Sequence, residues 1–83
     1  MSVTVYELIE NKLQRIYVGQ TELAVEQEYV KLRTSPPGAL SGWDWTNVQM
    51  RPVETFESAK LAGEFLKRYA SKTPPPGWAV LSG

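Results

Sequence analysis

The sequence predicts a small α+β domain, a small antiparallel sheet with helices packed on it in the order strand-strand-helix-strand-helix. Three observations carry that reading. Two short runs of β-branched and aromatic residues open the chain, separated only by Glu10-Asn11-Lys12. Two later segments repeat apolar residues at helical spacing, with a β-type run between them. The 83-residue length suits one domain with a limited core, so each large apolar side chain counts.

Taken in order, Val3-Thr-Val-Tyr-Glu-Leu-Ile9 reads as a first strand and Leu13-Gln-Arg-Ile-Tyr-Val18 as a second. So short a connection favours an antiparallel hairpin. Gly19 ends the second strand where a missing side chain allows close approach to the backbone. Thr21 is a candidate N-cap for a helix over about 22–33, with Val25, Tyr29 and Leu32 on one stripe. Ser35-Pro-Pro-Gly38 stops that helix, and residues 34–44 form a loop rich in Pro, Gly and Ser. Trp45 to Val53 reads as a third strand ending near Pro52. Thr55 is the candidate cap of a second helix, in which Phe56, Ala59, Ala62, Phe65, Leu66 and Tyr69 recur at helical spacing. The triple proline at 74–76 makes a stiff turn, and Trp78 to Leu81 adds a tail strand or packs on the core.

Composition removes several function classes. With no Cys and no His, the chain offers no disulfide framework, no thiolate metal site, no cysteine nucleophile and no imidazole base. Nine Lys+Arg balance nine Asp+Glu, so there is no basic excess of the kind a dedicated nucleic-acid binder shows. No apolar run approaches the length of a membrane span, and the first residues lack the pattern of a secretory signal. A cytoplasmic location is the default expectation.

The hairpin carries a resemblance. Val5-Tyr6-Glu7 on the first strand and Ile16-Tyr-Val-Gly-Gln-Thr21 on the second resemble the paired signature of GIY-YIG nucleases, whose two segments lie about as far apart as Tyr6 and Tyr17. Ala59-Lys-Leu-Ala-Gly-Glu-Phe-Leu-Lys67 is similar to the family's Ala-x-x-x-Glu-x-x-Leu-Lys helix. The likeness runs from about residue 3 to residue 69 over the same element order. It implies a metal-dependent endonuclease acting on DNA phosphodiesters. Tyr6 and Tyr17 would position or deprotonate water, and Glu64 would hold Mg²⁺. Thr4 stands where the family usually has a glycine, and Gln27, flanked by Glu26 and Glu28, stands where it has an arginine. Arg15, on the strand face of Tyr17, and Arg33, near the helix end, are the stand-ins for gripping a phosphate.

Each of these residues also has a plainer reading: cross-strand aromatic packing for the tyrosines, helix-surface pairing with Lys60 and Lys67 for Glu64, and solvated charges for the two arginines. The alternative function is a non-catalytic binding module on the same fold, for a protein partner or single-stranded nucleic acid. Trp43, in the Ser41-Gly-Trp-Asp44 loop, is its best candidate for an exposed stacking residue. If the two tyrosines, Arg15 and Glu64 share one polar surface, the enzyme reading gains. If Tyr17 lies under a tryptophan and Glu64 faces away, the binding module gains.

Overall fold

The computed structural model describes residues 2–82. Strands β1 (Val3–Glu10) and β2 (Arg15–Thr21) form the expected hairpin, followed by helix α1 (Val25–Thr34), strand β3 (Val48–Phe56), helix α2 (Ala59–Ala70) and strand β4 (Ala79–Ser82). The sheet runs in the order β3-β1-β2-β4. β1 pairs antiparallel with both β2 and β3, while β4 lies parallel to β2. The sheet is therefore mixed rather than wholly antiparallel. β4 reaches β2 from the far end of the chain, after the α2 crossover, and that path delivers it parallel.

Alternation along β1 divides the core in two. Tyr6 and Leu8 point to one face, where they join Tyr17, Leu32, Leu40 and Trp43. Val3 and Val5 point to the other, where they join Val18, Ala62 and Leu66. Helix α1 and the loop after it cover the first face, and α2 covers the second. Each leucine taken fully out of water stabilises the fold by about 1.5–3 kcal/mol.

Several boundaries differ from the sequence expectation, each for a local reason. Helix α1 begins at Val25 rather than 22, because the Thr21 hydroxyl accepts from the Leu23 amide at 3.0 Å and donates to Glu28, away from a capping position. Helix α2 is capped by Ser58, whose Oγ accepts from the Leu61 amide at 3.3 Å, and not by Thr55. Phe56 instead closes β3. Pro52 does not end that strand. β3 is one of the two edge strands, and Pro52 borders a bulge where the register slips between Val5 and Tyr6, so its missing N–H is tolerated. Residues 45–47 form a short 3₁₀ turn ahead of β3, held by Asp44, which accepts from Thr46 N at 3.1 Å and Asn47 Nδ2 at 2.9 Å.

The segment between α1 and β3 is not a free loop. A 3₁₀ turn at Gly38–Leu40 folds it back over the sheet, burying Leu40 completely and leaving Trp43 only 7% exposed. Trp43 was expected to stand in solvent; it is part of the core. The turn residues around it bend the chain so that a side chain in a polar loop points inward. Among the described residues, no helix is long and apolar enough to cross a membrane.

Candidate functional site

The face of the sheet under α1 collects most of the residues singled out from sequence. Tyr6 lies opposite Gly19 in the β1–β2 register. A Cβ at position 19 would come within 2.6 Å of Tyr6 Oη, so the glycine gives the tyrosine room to lie across the neighbouring strand. The Tyr6 and Tyr17 rings sit 6.4 Å apart in a tilted pair. Both are buried, under the same cluster that contains Trp43.

The polar centre of this face is Glu28, which is 6% exposed. Tyr6 Oη donates to its Oε2 at 2.9 Å, and Thr21 Oγ1 donates to its Oε1 at 3.0 Å. One carboxylate on α1 thus joins both hairpin strands. Hydrogen bonds to a charged group are each worth about 1.5–3 kcal/mol when buried. Burial, and then the bonded Glu28 carboxylate, push the Tyr6 hydroxyl pKa far above its ordinary value. Burial and the same carboxylate raise Tyr17 as well. A hydroxyl held protonated beside a carboxylate is a hydrogen-bond donor, not a base at neutral pH.

Sequence reasoning missed Glu28, reading it as part of an acidic flank. Its signal was its place one turn before Leu32, which puts it on the buried side of α1. Gln27 is exposed, and its Oε1 accepts from the Ala24 amide at 3.4 Å across the first turn of the helix.

The other candidate residues do not join this buried group. Glu64 is exposed on α2, which packs against the opposite face of the sheet from the two tyrosines. Arg15 is exposed at the start of β2, and Arg33 is exposed near the end of α1. Among the described residues, no three acidic side chains gather in a way that could hold a metal ion. Glu64 would offer Mg²⁺ a single carboxylate, with neither Tyr6 nor Tyr17 on its side of the sheet to share a bound phosphate.

On the α2 face a different polar group is buried. Glu7, 3% exposed, forms an ion pair with Arg51 and accepts from Tyr69 Oη at 2.9 Å. Lys72 lies over the Tyr69 ring, 4.9 Å from its centre. A small cavity of about 140 Å³ beside Glu7 and Tyr69 is roofed by Pro74 and Pro75.

An open cleft of about 600 Å³ lies between α1 and the outer strand β3. Val25, Tyr29 and Val30 form its helix wall, and Val48, Met50 and Pro52 form its floor. Among the described residues, Glu26 is the charged side chain that lines it. Val30 is 60% exposed there, a large apolar residue left in water beside other apolar surface.

Comparison with family models, with curated proteins and with solved structures finds no match to this chain.

Proposed function

We propose that this chain is a non-catalytic binding module on a GIY-YIG-like scaffold, and that its partner is a protein. The observation that carries this reading is the Tyr6–Glu28 hydrogen bond at 2.9 Å. The tyrosine that a nuclease would use on water or phosphate is spent on holding α1 to the sheet. Three further features agree. Tyr17 is buried in the cluster of Trp43, Gln27 caps its own helix, and Glu64 belongs to a helix on the other side of the sheet.

A protein partner is favoured over single-stranded nucleic acid for two reasons. Trp43, the residue best suited to stack on a base, is buried. Glu22, ahead of α1, and Glu26, in its first turn, are also exposed, and these repel phosphates. The open cleft between α1 and β3 is lined by apolar side chains of the kind that protein interfaces cover.

The test is a cleavage assay with Mg²⁺ and with Mn²⁺ on single-stranded, duplex and branched DNA, paired with binding of the same labelled DNAs. The expected result is neither metal-dependent cutting nor DNA binding at physiological salt. Cutting that is lost in both Tyr17→Phe and Glu64→Ala would overturn the proposal in favour of a metal-dependent nuclease.

A further inference from the structure

We infer that the α1–β3 cleft receives an amphipathic helix carrying basic residues, seated by its side chains rather than by strand addition. The inference rests on the protein-binding reading above and specifies the partner's chemistry.

The cleft lies beside the outer edge of the sheet, where an extended peptide could in principle pair with β3. That edge is poorly suited to it. Pro52 lacks an N–H, the bulge at Glu54/Pro52 breaks the repeat mid-strand, and Arg51 and Glu54 put charges on either side. Those are the features that protect a sheet edge from pairing. What remains is an apolar trough with no need for main-chain bonds, and a helix, whose own backbone is already paired, meets that condition.

The dimensions agree. The floor from Val48 to Pro52 advances about 13 Å at the usual strand rise. A helix covers that length in about nine residues, enough for apolar anchors at i, i+3 or i+4, and i+7. Charge sets the direction. Tyr29 packs edge-on against Trp45, just ahead of β3, with ring centres 5.8 Å apart. The first turn of α1 therefore lies toward Pro52, and exposed Glu26 puts a carboxylate on the wall at that end of the trough. Among the described residues Glu26 is in no ion pair; Arg51 and Glu7 form the side-chain pair found there. Lys or Arg at the matching end of the incoming helix completes the contact.

The experiment uses a fluorescein-labelled 14-residue Leu–Lys amphipathic helix as probe. Its comparators are a Leu–Glu helix of the same pattern, an alternating Val–Lys strand-former and an oligo-dT strand, all read by anisotropy. The Leu–Lys helix should bind the full chain best. Its affinity should fall at least tenfold with Val30→Asp and several-fold with Glu26→Lys. Leu61→Asp, at an apolar residue of α2 that is also exposed, should leave it unchanged. Near-UV circular dichroism verifies that each variant is folded. Equal binding by Val30→Asp, a preference for the strand-former or the oligo-dT, or no binding by any probe would each overturn the inference. A preference for the oligo-dT would remove the protein-binding role as well, the other failures leave that role standing, and metal-dependent DNA cutting would remove it without touching the peptide result.

Discussion

The two faces of the sheet solve the same problem with different chemistry. Under α2, aliphatic residues from three elements close the core: Val3, Val5 and Val18 against Ala62 and Leu66. That contact is mostly area, with the buried Glu7 carboxylate held at its border by Tyr69 and Arg51. Under α1, two tyrosines, a tryptophan delivered by a loop and a buried carboxylate share the work. This contact needs area and correct pairing, because a buried polar group without its partner costs about 1–3 kcal/mol. Each helix buries two residues, but both on α2 are apolar, Ala62 and Leu66, while α1 buries Leu32 and the carboxylate Glu28. On α1, hydrogen bonds and a covering loop therefore supplement a thinner apolar stripe. The same thin stripe leaves the cleft beside β3 open.

That contrast can be tested from its strongest element downward. Trp43→Ala should cost about 3–5 kcal/mol in urea unfolding, at least matching Leu66→Ala on the α2 face, which should cost about 2–5. A small loss at Trp43 would mean that the loop is a cover and not part of the core. Tyr6→Phe should cost about 1.5–3 kcal/mol, since it leaves buried Glu28 with Thr21 as its one remaining donor.

Alkaline pH sharpens the same point. Tyr6, Tyr17 and Tyr69 all have their hydroxyl pKa values raised above 10.0, first by burial and then by a neighbouring carboxylate. Below pH about 10 the folded and unfolded chains both keep these protons, and the contribution to stability is complete. Above it the unfolded tyrosines ionise first, so the unfolded state binds fewer protons and stability falls as pH rises, by up to about 1.4 kcal/mol per pH unit for Tyr6. Unfolding curves between pH 9 and 11.5 should decline less steeply for Tyr6→Phe than for the wild type. The smallest effect belongs to Tyr17→Phe, within about 0.5 kcal/mol. Its ring packs in the core, and no hydrogen bond contributes to its raised pKa. Equal losses at the two tyrosines would show that the Glu28 clamp contributes nothing beyond packing.

Much of the fold was legible because it is written in local pattern. β-branched runs mark β1 and β2, and the repeat through Ala62, Leu66 and Tyr69 marks α2. The parallel placement of β4 was not legible, since a four-residue run cannot announce which distant strand it will join. Nor was the site. The tyrosines were found as a pair, but the sequence does not show that one hydroxyl is committed to Glu28. A carboxylate on an amphipathic helix reads as solvated unless its buried neighbours are counted with it. Trp43 was misread for the opposite reason: Gly and Ser around it suggest exposure, while the tight turns they permit are what carry it inward.

The last strand has a consequence for how the chain assembles. β1 and β2 meet across a four-residue turn, steadied by Glu10, whose carboxylate accepts from the Lys12 and Leu13 amides at 2.7 and 2.9 Å. β4 joins Arg15 of β2 through Ala79, with most of the sequence looped between them. Closing that loop costs chain entropy that is recovered only after α1, β3 and α2 have folded. The hairpin is thus the natural nucleus, and β4 the final closure. Its amides should be the first to exchange with solvent, opening and resealing while the rest of the sheet stays intact.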